Sequence, residues 1–479
     1  MKRAAVLLAA LAVSLAACSP STDAPLEPSL KLDPNPGGIA RVTTSADAGA
    51  GSFREAIATA HGDASIRKII FDPNLGSIAL QQPIVYTGSQ ELAIQGHGIV
   101  IDGDDLAAGQ SALTASGGSD LTIQQLTVQN APGVGITVRI PVAATGQVRI
   151  SLINVHALDN GLHGVLINDQ TEYLSNPNST SQEGSAAGLL VAVSASSFER
   201  NGLTVIDQDG LRINEGGPGD LEASIEATRV TGNGGDGIEF DERREGSAIF
   251  SVSGTALLGN GPFTAADFDD GIDVDEAGDG DVVGKFSDVK ANDNFEQGID
   301  LNENDAGDMK ITMIGVEALR NRQEGIEFEE DDDFAGGGNI EAWLENIIAN
   351  GNLGGDAGLK LREKGAGNVL ATIRNVHATN NTVGGVLVRE DAAGDLTATV
   401  ENATTLGNTG DGIKFDENSS GNLDARVLTA AASNNTGAGV AAEQATTGTG
   451  LLRISALTAV GNGGGGVKTD AGVVVQILP

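Results

Sequence analysis

Eight glutamates recur at one position of this chain, each five residues after a glycine. They are Glu215, Glu242, Glu276, Glu303, Glu330, Glu363, Glu390 and Glu417. The residues between them are also acidic in four successive units: Glu239 and Asp241, Asp273 and Asp275, Asp300, then Glu327 and Glu329. Asp236, Asp270 and Glu324 stand just before the glycines. If the units stack, equivalent carboxylates lie roughly 5 Å apart. Like charges at that spacing repel or raise one another's pKa. A cation that accepts six to eight oxygens in loose geometry relieves the repulsion, which makes calcium the expected ion. The expected ligands are Asp241, Glu242, Asp273, Asp275, Glu276, Asp300, Glu303, Glu327 and Glu330. A solvated acidic face and a basic macromolecular partner are the alternatives. Further along, Lys360, Arg362, Arg389 and Lys414 replace acids at the same positions, so the chain neutralises itself there.

The same residues frame a possible catalytic centre. An enzyme predicts a groove flanked by Phe263, Phe268, Asp270, Asp273, Asp300 and Lys360, with Trp343 and Tyr173 as further sugar-stacking candidates. No Ser-His-Asp or metal-histidine spacing is present. His97 lies many units upstream of Asp270 and reads as a turn residue.

What must position these residues is a repeat. Glycines preceding an apolar-x-apolar triplet stand at 210, 237, 271, 298, 325, 358, 385, 412, 439 and 466. Seven of the nine intervals are 27 residues, and the other two are 34 and 33. Gly164 and Gly135 extend the series upstream. After each glycine the residues alternate apolar and polar, as in Ile299-Asp300-Leu301-Asn302, which is a strand with one buried face. A second alternating run, such as Met309, Ile311 and Met313, begins about eleven residues after the glycine. A third short apolar stretch precedes an asparagine four residues before the next glycine. These asparagines are Asn160, Asn233, Asn294, Asn321, Asn381, Asn408, Asn435 and Asn462, and they predict an internal ladder. A glycine ladder is predicted at 246, 280, 307, 367, 394 and 421. Three short strands per turn, stacked coil on coil, give the fold class: all-β, a right-handed parallel β-helix solenoid of 27-residue coils. The longer intervals place surface insertions at 261–270, 331–339 and 350–356, and a longer loop at 168–188.

The ends differ from the repeat. Ser52-Phe53-Arg54-Glu55 has the form of a capping box ahead of Ala56 to Ala60, so an N-terminal helix is expected to cap the core. The segment GAGSFREAIATA, with Ile69-Ile70-Phe71 and Ile101-Asp102-Gly103, resembles the opening of pectate-lyase-like β-helix proteins, with Phe53 where that family has leucine. The resemblance covers about 40–479 and implies architecture rather than one activity. At the N-terminus, a basic Met1-Lys2-Arg3, an apolar 4–17 and Leu15-Ala16-Ala17-Cys18 resemble a bacterial lipoprotein signal peptide. That resemblance implies cleavage before Cys18, its lipidation, and a membrane partner through the lipid anchor. Ser19, by analogy with sorting of such proteins, points to the outer membrane. Residues 19–40 are then a flexible tether and 41–479 the β-helix, with irregular coils over 41–134 and regular repeats from about 135.

With 65 acidic and 28 basic residues the formal charge is −37, which excludes nucleic acid as a partner. A single cysteine excludes an internal disulfide. The expected function is a monomeric, non-catalytic binding or structural lipoprotein with a calcium-binding acidic face, meeting a polysaccharide or cell-surface partner. The alternative is a polysaccharide lyase, glycoside hydrolase or epimerase working on that face.

Overall fold

In the computed structural model the structure describes residues 38–170, 184–262, 268–331, 337–445 and 447–479. Cys18, Phe263 and Tyr173 lie outside the described residues. The chain is a right-handed parallel β-solenoid of about 15 coils. Each strand pairs in parallel with its equivalent in the next coil. Ile299 to Glu303, for instance, runs in register between Ile272 to Glu276 and Ile326 to Glu330. Among the described residues this builds a larger sheet of 22 strands and a smaller one of 14. The smaller sheet carries the strands that follow the repeat glycines.

Period-two alternation decides which side chains fill the core. Ile299 and Leu301, Ile326 and Phe328, and across from them Met309, Ile311 and Met313 are buried. Phe250 meets Phe240 across its own coil and Phe286 of the next coil, with ring centroids 5.7 and 5.5 Å apart. At the N-terminal end, helix α1 (Phe53–Gly62) buries Phe53, Ala56, Ile57 and Ala60, with Phe53 4.8 Å from the Phe71 ring. Ser52 accepts from the Glu55 N–H, and Glu55 reaches back to the Gly51 N–H, so the cap is reciprocal. No helix among the described residues is long and apolar enough to cross a membrane.

The asparagine column includes Asn233, Asn294, Asn321, Asn381, Asn408, Asn435 and Asn462. It also includes Asn201, Asn260 and Asn352, which a fixed distance from the glycine misses. Each Oδ1 accepts from the preceding asparagine's amide and backbone N–H, and each Nδ2 also donates to a backbone carbonyl. The left-handed conformation falls one residue earlier than the sequence implies, at Asp159, Arg200, Asp293, Arg320, Asn380 and Asn434. The asparagines themselves close the corner from the inside.

This column also locates the insertions. Asn260 and Gly271 are separated by seven more residues than the usual pair, Asn201 and Gly210 by five, Asn352 and Gly358 by two. The remaining extra length falls at the opposite corner, after Asp169 and after Glu330. Both corners border the smaller sheet. Removing one ladder member exposes the energetics. Asn321→Ala removes side-chain partners from the Ala291 carbonyl and the Asn294 N–H, and takes one hydrogen bond from each of the Asn294 and Asn352 amides in a buried stack. A loss of about 2–3 kcal/mol is expected in urea unfolding, because orphaned buried polar groups cost more than a hydrogen bond returns.

Candidate functional site on the acidic face

The outward side chains of the smaller sheet form columns. One runs Arg212, Glu239, Asp273, Asp300, Glu327 and Lys360. Beside it run Asn214, Asp241, Asp275, Asn302, Glu329 and Arg362. A third column lies at the strand entrance: His163, Asp209, Asp236, Asp270, Gln297 and Glu324. In it Asp209 accepts from the Asp236 N–H at 2.9 Å, Asp236 from the Asp270 N–H at 2.5 Å, and Asp270 from the Gln297 N–H.

Both ends of the acidic stretch carry their own cations. The buried Arg212 guanidinium lies 3.0 Å from Asp207, 3.4 Å from Asp209, 2.5 Å from Glu239 and 2.7 Å from Asp241. Arg243, also buried, reaches Asp241 at 2.5 Å and Asp275 at 3.5 Å. At the far end Lys360 binds Glu327, while Arg362 and Lys364 hold Glu329 at 3.0 and 2.9 Å.

Between these ends the compensation stops. One oxygen each from Asp270, Asp273 and Asp300 lies within 4.8 Å of the others. Among the described residues no Lys or Arg comes within ion-pair distance of any of the three. Asp270 accepts from the Gln297 N–H, but the side-chain contacts of the other two are weak: Gln297 Nε2 to Asp300 and Asn302 Nδ2 to Asp273, both at 3.5 Å. Asp300 Oδ1 is buried with no hydrogen-bond partner. Burial pushes all three carboxyls well above the usual carboxylate range, and the neighbouring acids add to it. Asp270 is buried, and Asp273 and Asp300 are half-buried. Three carboxyls this close oppose one another's ionisation, so the triad favours a proton or a cation.

An aromatic step flanks it. Phe268 and Phe295 occupy equivalent positions on successive coils, two residues before Asp270 and Gln297, with centroids 6.0 Å apart. The guanidinium of Arg322, one coil on, lies 4.6 Å from the first ring and 4.0 Å from the second.

The expected cation column is thus divided. Asp273 and Asp300 meet, joined by Asp270. Asp241, Asp275 and Glu327 face the same way but are matched by Arg212, Arg243 and Lys360. Glu242, Glu276, Glu303 and Glu330 are corrected in position. They stand five residues after the glycine, the same parity as the core residues one and three after it, so they turn inward and are fully buried. The sequence reading also passed over Arg212, Arg243, Phe295 and Arg322. The register supplies the signal for Arg212, Phe295 and Arg322, each one coil above or below in a column of the site, whereas Arg243 pairs with Ala277 and reaches the site by its length.

No protein-family model and no curated protein matches the chain. Solved structures similar to it include pectate lyase Pel9A, at 13% identity and TM-score 0.39, covering 72% of this chain and 80% of that one. The periplasmic alginate epimerase AlgG, as a double mutant, is similar at 12% identity and TM-score 0.35, covering 89% of each chain. The Dettilon tailspike protein matches at 10% identity and TM-score 0.43, over 88% of this chain and 64% of its own. These are likenesses of coil architecture.

Proposed function

We propose that the chain acts on a polysaccharide laid along the smaller sheet, with Asp270, Asp273 and Asp300 as the reacting carboxyls. The observation that supports this reading is the triad itself: the matched charges at either end stop at three closely set, unmatched acids, one buried and two half-buried, near a phenylalanine step. A carboxyl whose pKa is raised by burial keeps its proton at neutral pH and can hand it to a glycosidic oxygen. An ionised partner carboxyl beside it can remove a proton from the sugar. Phe268 and Phe295 offer ring faces to a sugar, and Arg322 holds them from one side. Arg212 and Lys360 fix the boundaries of the acidic stretch.

The same three residues fit calcium. They supply carboxylate oxygens, one of them buried and unpartnered, and among the described residues no Lys or Arg forms an ion pair with them. Bound there, calcium would screen the triad and bridge it to an acidic sugar. The first cluster of acids, Asp207, Asp209, Asp236 and Glu239, does not fit in the same way because Arg212 already fills it. Once the segment before it is cleaved, a lipid on Cys18 would tether the rod to a bacterial membrane, the outer membrane by the reading of Ser19.

The expected result is release of reducing ends or unsaturated products from a panel of uronate polymers and neutral glucans. Asp300→Asn is expected to lower turnover by about 10²- to 10⁴-fold, the usual contribution of a general acid or base. An enzyme preparation inactive on the whole panel, or an Asp300→Asn variant as active as the parent, overturns the proposal. A non-catalytic, cation-stabilised rod is the second reading, favoured by the self-neutralised coils on either side. It predicts a calcium-dependent melting temperature without turnover.

A further inference from the structure

Along the inner edge of the smaller sheet runs a column that the surface site does not use. Glu215, Glu242, Glu276, Glu303, Glu330, Glu363, Glu390 and Glu417 are stacked, one per coil, with essentially no exposed surface. One oxygen of each is commonly tied to its own turn. Glu215 accepts from the Gly217 N–H at 2.9 Å, Glu303 from Asp305 and Gly307 at 3.1 and 3.2 Å, Glu330 from Gly338 at 2.7 Å. Glu363 accepts from Gly367 at 3.2 Å and Glu390 from Ala392 at 2.8 Å. The other oxygen has no donor. Glu215 Oε1, Glu303 Oε2, Glu330 Oε2, Glu363 Oε2 and Glu390 Oε2 are buried without a partner, as are both oxygens of Glu242 and Glu276.

The next coil shows what such a slot requires. There the column ends in Gln444, equally buried, pairing in register behind Glu417. Its Oε1 accepts from the Leu423 N–H at 3.0 Å and its Nε2 donates to the Gly421 carbonyl at 3.1 Å. The slot thus takes a neutral group with one acceptor and one donor. A carboxylate offers two acceptors and a charge. A carboxylic acid matches the amide.

We infer that Glu215, Glu242, Glu276, Glu303, Glu330, Glu363 and Glu390 form a protonated ladder, a line of seven neutral carboxylic acids that binds protons as the fold closes. The titratable or charged groups facing it are its own members with Glu417, Asp169 at the first coil, and Arg243 beside Glu242. Otherwise it meets core side chains and turn glycines. Burial is the leading cause that raises these carboxyls, to about 9 for Glu215, Glu242, Glu276 and Glu330, about 10 for Glu303, and about 8 for Glu363 and Glu390. Folded-state values above the unfolded value of 4.5 mean that the native chain binds more protons than the unfolded one between those limits. The ladder's contribution to stability is full below pH 4.5 and is lost as pH rises through 8 to 10. The rod is built to tolerate acid and to weaken in alkali, the reverse of a protein held by ionised carboxylates. The folded chain also carries seven fewer negative charges than its formal −37.

The experiment compares proton release on urea unfolding at pH 7 in weak buffer, for the full chain and for Glu276→Gln/Glu303→Gln/Glu330→Gln. Three fewer protons released by the triple variant is the expected result, together with a melting temperature at pH 9 at or above the parent's. Glu363→Gln, one proton fewer, serves if the triple variant does not fold. Equal release by parent and variant overturns the proposal. So does a parent melting temperature that chelation with EDTA lowers to the variant's level, which would mark the column as ionised and cation-loaded.

Discussion

Gly307→Ala is expected to be among the costliest single methyl additions in the regular coils, at least about 5 kcal/mol, and to leave little soluble folded protein. Gly307 belongs to a column with Gly246, Gly280, Gly338, Gly367, Gly394, Gly421 and Gly448. At each, an added Cβ would overlap the carbonyl oxygen of the glycine one coil before, and at Gly307 that is the oxygen of Gly280. The reason is space and not backbone conformation, since none of these glycines has positive φ. Relief would require moving backbone, and in a stack each coil's backbone is the next coil's template. Costs above 4–5 kcal/mol arise only from such unavoidable overlap or comparable faults. By contrast, Gly98 has positive φ and open space around its Cβ, so Gly98→Ala carries only the cost of the conformation. Urea denaturation of the two variants side by side checks the argument: similar losses at both sites would sink it.

Arg212→Ala is expected to destabilise the folded chain by about 3–5 kcal/mol at pH 8, the usual cost of leaving buried charge uncompensated. Four carboxylates lose their shared cation: Asp207, Asp209, Glu239 and Asp241. Part of the loss should return on acidification. Without the guanidinium the buried carboxyls among them rise in pKa and take up protons, which replaces the missing positive charge. Glu239 is already well above its ordinary value through burial even with Arg212 beside it. The gap between parent and variant should therefore narrow from pH 8 to pH 5 in thermal melts. A gap that stays constant with pH would show that Arg212 acts by packing its stem and not by charge.

Much of this architecture was legible because solenoid coils repeat their grammar. The 27-residue interval, the alternation of Ile299-Asp300-Leu301-Asn302 and the capping box at Ser52 each describe a local event, and each appears where expected. What misled was counting from one landmark. Distances measured from the glycine break wherever the corner before it is enlarged, so Asn201, Asn260 and Asn352 were passed over although the ladder runs through them. The glutamates were misplaced for a different reason. Their charge argued for solvent, while their parity, shared with Ile299 and Leu301, argued for the core, and parity is the stronger constraint in a strand. Glu303 beside Leu301 and Asp300 shows both rules at work within four residues. Lys360 was legible in the sequence as one end of the cationic frame, but Arg212, its counterpart, lies 148 residues away in sequence and only five coils away in space.

The enlarged corners have a consequence for how such a chain can change. Extra residues occur after Asn201, Asn260 and Asn352 and after Asp169 and Glu330, always outside the paired strands and always beside the smaller sheet. Registry is re-established at the next glycine or glutamate whatever the length in between. Loop length is thereby uncoupled from the lattice of the core, much as variable loops are uncoupled from a constant framework in a recognition protein. Duplication of a whole coil lengthens the rod, and growth at a corner reshapes the border of the smaller sheet. Neither disturbs the other, so the scaffold can acquire new surface chemistry without renegotiating its fold.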